Sequence, residues 1–332
     1  MQAAEITGTG PNTPNGARAP VLSVVLPMYN EGDSLQAALA AILQQLELTQ
    51  HSFEVVCVDD GSSDGTFETL RRLAAQDSRL RALQLSRNFG KESALLAGLD
   101  ATRGQGVILM DADLQHPPEV IPELVRNWQQ GYEVVNGVKH RRGQESLVYR
   151  LLAATFHRLM GRDFKGASDF KLLDRAVVEA LKELPEKTRF FRGLVHWVGF
   201  KSTDVPFEVA PRIAGSSKWS LTALVRYSLR NLVAFSALPL RAVASLGFST
   251  LIFAFFLGLW TLYRKLIRGD ALTGFTTVIL LQLILGGLLL SGVGVIALYV
   301  AAIFEELKAR PTYIVRKSTD QPPHDANKPP DP

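Results

Sequence analysis

The chain has 332 residues, 47% hydrophobic and 20% charged, with a formal net charge of +4, so it holds one large or two modest domains. Its 36 basic residues are dispersed without an aromatic-basic platform, which argues against a nucleic-acid partner and for a phosphate substrate or membrane surface. The single cysteine, Cys57, excludes an internal disulfide or a multi-cysteine zinc site and fits a reducing compartment.

Residues 1–20, rich in Gly, Pro, Thr and Asn without an apolar core, read as a disordered leader rather than a signal peptide. Short apolar runs then alternate with helical patterns. Val21–Leu26 reads as a strand, followed by Leu35, Leu39, Ile42, Leu43 and Leu46 at helical spacing. Strands are expected at Phe53–Val58, Leu80–Leu85, Val107–Met110 and Tyr132–Asn136. Helices are expected between them at Thr66–Ala75, Glu92–Ala101 and Pro118–Gln129, the last opening on a proline, whose missing N–H costs little there. This alternation predicts an α/β fold with right-handed crossovers and a mostly parallel sheet covered on both faces. Further on, Glu145–Met160 and Thr188–Val198 read as helical, and Ser168–Leu173 and Ser202–Val209 as extended.

Charge is frequent up to Arg241 and nearly absent between Ala242 and Phe304. Leu221–Phe235 is amphipathic, with Arg226 and Arg230 one turn apart, and predicts an interfacial helix within 221–240. Ala242–Tyr263 carries no charge and is long enough to cross a hydrocarbon core of about 30 Å. Ala271–Phe304 is also uncharged and longer than one span needs, so a second span is expected over residues 275–304, within a two-helix region 241–310. Two spans return the chain to its starting side. Gly287 and Ser291 offer a small-residue packing face, compatible with self-association. Residues 311–332, polar and proline-rich, read as a disordered tail.

Candidate chemistry lies where strands end. Asp111-Ala112-Asp113 follows Val107-Ile108-Leu109-Met110 directly. Open α/β sheets bind ligands at the carboxyl ends of their strands, and paired carboxylates there offer hard oxygens to Mg²⁺ or Mn²⁺ bridging a nucleotide's phosphates. Taken alone, such a triplet is more often a solvated turn. Asp113 and Gln115 lie at alternate positions, so their oxygens can meet one metal, and His116 reads as structural or near the substrate. Pro27-Met28-Tyr29-Asn30-Glu31 ends the first strand with an aromatic ring and a carboxylate suited to a base and ribose, though a plain turn explains it equally. In Val58–Thr66, adjacent acids are costly unless they bind N–H groups, hydroxyls or a cation. Asp60 is assigned there to ligand binding and Asp64 to helix capping. Lys91, ending Ser86-Arg87-Asn88-Phe89-Gly90-Lys91, is placed either to approach a pyrophosphate or to face solvent.

Read in order, these motifs resemble the family 2 glycosyltransferases of the polyisoprenyl-phosphate type. Ser168-Asp169-Phe170-Lys171-Leu172-Leu173-Asp174-Arg175, Ala214-Gly215-Ser216-Ser217-Lys218-Trp219 and the two apolar segments extend the likeness from about Val21 to about Arg310. The resemblance implies a GT-A domain over 21–220 and Mg²⁺ or Mn²⁺ as cofactor. It also implies inverting transfer of one sugar, from UDP-glucose foremost, to polyisoprenyl (undecaprenyl) phosphate. GDP-mannose or a UDP-amino-sugar remains an alternative donor, and a scaffold or flippase with a degenerate domain remains a non-enzymatic alternative. A processive synthase suits the short chain and two spans poorly. By position, the resemblance puts Pro27, Tyr29, Glu31, Asp60 and Ala112 at the nucleotide and Asp111, Asp113 and Gln115 at the metal. It puts Lys139, Arg212 and Lys218 at the diphosphate or lipid phosphate, and Asp169 near the acceptor. An acceptor phosphate is already anionic and needs no strong base, so Asp169 is expected to position it or a shared cation, with Arg212 and Lys218 drawing it to the anomeric carbon. Lys139 stands where the family often has arginine, and Ser168-Asp169-Phe170-Lys171 where it has Gly-Asp-Phe-Arg. A cytosolic nucleotide substrate, the reduced cysteine and the missing signal peptide together place the domain and both termini on the cytoplasmic side of the inner membrane.

Overall fold

The computed structural model describes residues 20–32, 35–139, 167–186, 189, 191–208, 238–268, 274–308 and 310–320. Arg212, Lys218 and the helices expected at 145–160 and 221–235 lie outside these residues. The chain forms two units: residues 1–147, 163–217 and 310–332 make a sheet unit, and residues 148–162 and 218–309 a helical one.

The sheet contains β1 (Leu22–Met28), β2 (Phe53–Asp59), β3 (Leu80–Leu85), β4 (Gly106–Leu109), β5 (Val134–Lys139), β6 (Ala167–Asp174), β7 (Ser202–Phe207) and β8 (Val315–Ser318), in the order β7-β5-β6-β4-β1-β2-β3-β8. The β4-β1-β2-β3 ladder is parallel, as is β5 with β7, whereas β6 runs antiparallel to both β4 and β5. Helices α1 (Leu35–Leu48), α2 (Thr66–Gln76), α3 (Lys91–Ala101), α4 (Ile121–Gln129), α5 (Arg175–Glu183) and α6 (Phe191–Trp197) complete the unit.

Period-two alternation divides the core between the two faces of the sheet. On β2, Val55 and Cys57 join a cluster with Leu39 and Ile42 of α1 and Leu124 and Trp128 of α4, while Val56 and Val58 join Ala94 and Ala97 of α3. All seven β2 residues are buried, as a strand covered on both sides requires. Burial pushes the Cys57 thiol up to about 12, so it behaves as a small apolar core residue.

The expected helix Pro118–Gln129 divides into a 3₁₀ turn at Pro118–Val120 and α4, because the prolines at 118 and 122 remove two donors from its first turns. The fifth strand begins two residues later than expected, at Val134. A disordered tail from residue 311 is the clearest expectation to need correction. Residues 313–320 belong to the sheet: β8 pairs antiparallel with β3, Ser86 N donates to Ile314 O at 2.9 Å, and Tyr313 OH donates to Asp100 Oδ2 at 2.7 Å. The physical reason is an edge strand in need of a partner; β3 would otherwise leave a row of unpaired backbone groups.

In the helical unit, α7 (Leu238–Arg268) and α8 (Phe275–Leu307) contain the segments Pro239–Thr261 and Leu281–Leu307, with mean hydropathy 2.1 and 2.4. Both are long and apolar enough to cross a membrane. A side chain added at Gly292 would approach Val243 to 3.2 Å, whereas at Gly287 it would meet nothing within 4 Å. The Ser291 hydroxyl donates within its own helix to Gly287 O at 2.8 Å. Gly287 is therefore not where α7 and α8 touch.

Candidate active site

The β4–β6 register brings the site together. Leu109 pairs with Lys171 in an antiparallel ladder, so Asp111, two residues after Leu109, and Asp169, two residues before Lys171, come to the same place at the carboxyl edge of the parallel strands. The antiparallel sense of β6 is what delivers an amino-terminal residue of that strand to this edge.

Asp111 leads into a turn held from within. Asp113 Oδ1 accepts from Gln115 N at 3.1 Å, and His116 Nδ1 accepts from Asp111 N at 3.1 Å. The His116 ring, 3% exposed, stacks on Phe170 at 5.2 Å and meets Phe207 edge-on at 5.8 Å. Burial lowers its pKa, so the ring is neutral with its proton on Nε2. Between the two acids and the glutamine, Leu114 has φ 56°, a left-handed conformation costing a branched residue about 1–2 kcal/mol. The turn thus holds strain where it presents Asp113 and Gln115.

Two carboxylates and an amide, all half-buried, form a hard-oxygen set that suits Mg²⁺ or Mn²⁺. Among the described residues, no three His, Cys, Asp or Glu side chains group as a metal site, so a cation here would complete its shell with water or phosphate oxygens.

The loops after β1 and β2 are tied together beside this turn. Ser62 Oγ accepts from Asn30 N at 2.8 Å, Asn30 Oδ1 from Ser63 N at 3.0 Å, and Thr66 Oγ1 from Glu31 N at 3.1 Å. Asp64 accepts from Thr66 N and Oγ1 and from Gly32 N, so it joins the loops as well as the start of α2. Pro27 is half-buried at the end of β1, and Tyr29 just beyond it is 41% exposed. Asp60, 4% exposed, accepts from Phe89 N at 2.7 Å and Gly90 N at 2.9 Å. Burial raises its pKa, and those two N–H groups partly counter the rise. Asp60 therefore pins the loop before α3, whatever else it binds. That loop is close-packed: Gly61 has φ 71°, and a Cβ there would lie 2.5 Å from the Arg87 carbonyl carbon.

Beyond Gly90, at φ 98°, Lys91 opens α3. Its Nζ lies 2.5 Å from Asp111 Oδ1 and 2.7 Å from Asp169 Oδ2. Arg192 of α6 holds Asp169 by a two-pronged pair, Nε to Oδ1 at 2.6 Å and Nη2 to Oδ2 at 2.8 Å. Burial alone would push the Asp169 carboxyl up, but Lys91 and Arg192 overcome it and hold the group well below the usual carboxylate range. Glu92, which accepts from Phe191 N at 3.2 Å, is pushed up to about 7 by burial and by the Asp169 charge. Burial also brings the Lys171 ammonium down to about 8.

The structure thus groups Asp111, Asp169 and Lys91, with Asp113 and Gln115 on the adjoining turn. Ala112 is buried in that turn. Lys139 is exposed at the end of β5, which runs parallel to β4 through their shared antiparallel partner β6. Arg192, Glu92, Lys171 and the bond from Asp111 N to His116 are additions that sequence reading misses. Their meaning depends on the β4–β6 register, which joins residues more than 60 positions apart in sequence, Gly106 with Asp174 and Leu109 with Lys171.

A family model described as Glycosyl transferase family 2 matches residues 23–180. A Synechocystis sp. protein named an uncharacterized glycosyltransferase is 40% identical over 299 residues, covering 89% of this chain and 94% of its own. A prophage-derived bactoprenol glucosyl transferase of Shigella flexneri is 35% identical over 302 residues, covering 90% and 98%. Its prophage homolog in Escherichia coli is 35% identical over 301 residues, covering 89% and 98%. With identity of this degree along nearly the whole of each chain, and an acidic turn at the carboxyl edge of a GT-A-type mixed sheet, this chain belongs to glycosyl transferase family 2 and is a glycosyltransferase.

Proposed function

We propose that this glycosyltransferase transfers one sugar, glucose from UDP-glucose foremost, to a polyisoprenyl phosphate at the cytoplasmic membrane face, with inversion and with Mg²⁺ or Mn²⁺. The observation that carries the reading is the placement of Asp169 opposite Asp111, an acceptor-side carboxylate facing a metal-type acidic turn across one sheet edge. The bactoprenol glucosyl transferases similar to this chain over its apolar helices as well as its sheet support a lipid phosphate as acceptor. The two apolar helices support a membrane location, and the return of the chain to the sheet at β8 supports a shared side for the domain and the segment after α8.

In this reading Pro27, Tyr29, Glu31, Asp60 and Ala112 hold the nucleotide, and Asp111, Asp113 and Gln115 would hold the cation. When bound, that cation would offset charge growing on the leaving diphosphate. An acceptor phosphate oxygen forms the new bond to the anomeric carbon. The bond from that carbon to the diphosphate breaks, and its electron pair leaves with the nucleoside diphosphate. Asp169, fixed as an anion by Lys91 and Arg192, positions the acceptor rather than taking a proton, which a phosphate dianion does not need to lose. Lys139, Arg212 and Lys218 supply positive charge to the two phosphate groups.

The test is transfer of radiolabelled sugar from UDP-glucose, UDP-GlcNAc and GDP-mannose to undecaprenyl phosphate by purified protein with Mg²⁺ or Mn²⁺, alongside Asp113→Ala. Label in the organic phase from UDP-glucose, lost in the variant, is the expected result. Label from another donor corrects the sugar, and no label from any donor despite nucleotide binding favours the scaffold reading.

A further inference from the structure

Lysine is an uncommon choice for the first residue of a helix, where the unpaired N–H groups and the macrodipole already present positive charge. Lys91 occupies that position in α3, and its ammonium is turned onto two carboxylates from neighbouring strands, Asp111 Oδ1 at 2.5 Å and Asp169 Oδ2 at 2.7 Å. The loop before it is fixed by Asp60 through Phe89 N and Gly90 N, so this reach is built into the fold. Arg192 already neutralises Asp169, so the second charge that Lys91 offsets is that of Asp111. The Lys91 side chain is 39% exposed and that of Asp111 is 29% exposed, so the contact can exchange with solutes.

We infer that Lys91 is a positioning residue that competes with the divalent cation for Asp111 and so makes firm cation binding depend on the nucleotide. This rests on the reading of Asp111, Asp113 and Gln115 as the cation set. Without nucleotide, Lys91 supplies the positive charge that Asp111 needs, and an incoming cation must share the carboxylate with an ammonium. A nucleoside diphosphate adds negative charge and oxygen ligands, which shifts the balance toward the cation. Linkage then requires that the cation strengthen nucleotide binding by the same factor.

The experiment measures Mn²⁺ affinity by electron paramagnetic resonance of free Mn²⁺, with and without UDP, for the full chain and for Lys91→Met, Lys91→Gln and Lys91→Arg. Circular dichroism melting confirms that each variant is folded, and the glutamine variant serves if the methionine one is not. Removing a unit like charge in contact with a ligand carboxylate should tighten Mn²⁺ binding without UDP on the order of tenfold. The gain from adding UDP should shrink by a similar factor, and Lys91→Arg should behave as the unsubstituted protein. A merely structural lysine would give the opposite sign, weaker Mn²⁺ binding in every variant. Unchanged or weaker Mn²⁺ binding by both neutral variants overturns the inference while leaving the cation reading intact. A loss seen only with UDP present returns Lys91 to the diphosphate and also overturns it. No Mn²⁺ binding by the unsubstituted protein, even with UDP, overturns the cation reading and this inference together.

Discussion

Arg192 grips Asp169 with two parallel bonds of 2.6 and 2.8 Å, and Lys91 closes on the same carboxylate from α3. A carboxylate held this way is fixed in orientation and charge, which suits a group that positions an anionic acceptor and does not suit one that must accept a proton.

Arg192→Ala should therefore lower turnover by about 10- to 100-fold with little change in nucleotide affinity, and Arg192→Lys should recover only part because it lacks the planar fork. The Asp169 carboxyl is depressed, so its contribution to stability is complete above the usual carboxylate range and is lost only as pH falls through the depressed value. The unsubstituted protein should thus show no loss from this group between neutrality and about pH 5, while the alanine variant loses activity at higher pH. Identical acid limbs in the two pH–rate profiles would sink the assignment.

Glu92 runs the other way. Its folded-state pKa, about 7, lies above the ordinary glutamate value of about 4.5, so the folded protein keeps a proton that the unfolded chain releases. Stability from this group is complete below the unfolded value, falls as pH rises between the two, and is lost above about 7. Glu92→Gln removes that dependence and should stabilise the protein at pH 8 by about 1–3 kcal/mol, after allowance for partial solvent access. Melting curves of both proteins at pH 5 and pH 8 decide it; an equal pH slope would show that Glu92 titrates in its ordinary range.

Most of the sheet was legible because parallel strands buried on both faces announce themselves as apolar runs, as Val107–Met110 and Phe53–Val58 do. The acidic turn was legible for the same reason, since it ends such a run. β8 was not, because Val315-Arg316-Lys317-Ser318 is an edge strand with two charges, and its partner Leu83–Leu85 lies more than 200 positions away in sequence. Arg192 was missed because one arginine in an amphipathic helix has no local signature. Its meaning comes from Asp169, and the meaning of Asp169 comes from the β4–β6 register. Sequence periodicity reports which face a residue takes and not which distant residue it meets.

His116 tests whether the acidic turn depends on its buried acceptor. Asn carries its side-chain oxygen near the place of Nδ1, so His116→Asn can keep the bond from Asp111 N while losing the stacking on Phe170. His116→Ala loses both and leaves a buried donor unpaired. The alanine variant should be destabilised by about 2–4 kcal/mol, the asparagine variant by about half of that. Turnover and Mn²⁺ affinity should fall further for alanine than for asparagine. Equal Mn²⁺ affinity in both variants would show that the turn holds its shape without the bond.

The β8 segment makes the strongest claim on stability outside the site. Arg81, with a side chain only 12% exposed, is shared between Glu54 Oε2 at 2.6 Å and Asp320 Oδ2, to which its Nε donates at 2.8 Å. Thr319 adds a two-way exchange with Ala82, N to O at 3.0 Å and Oγ1 from Ala82 N at 2.9 Å. Asp320→Ala leaves Arg81 with Glu54 still in place and should cost about 1–2 kcal/mol. Ending the chain after Arg310 removes the strand itself, uncovering Leu83 and Leu85 and the open side of β3. That truncation should lower the melting temperature by considerably more than the point substitution and promote association through the bare edge. Because Ser86 is bonded to Ile314 and Lys91 lies five residues beyond Ser86, the truncation should also loosen the Lys91 contact with Asp111. Thermal melting and light scattering report the first effect, and Mn²⁺ affinity the second. A truncated chain that melts with Asp320→Ala and stays monodisperse would show that β8 lies on the sheet without supporting it.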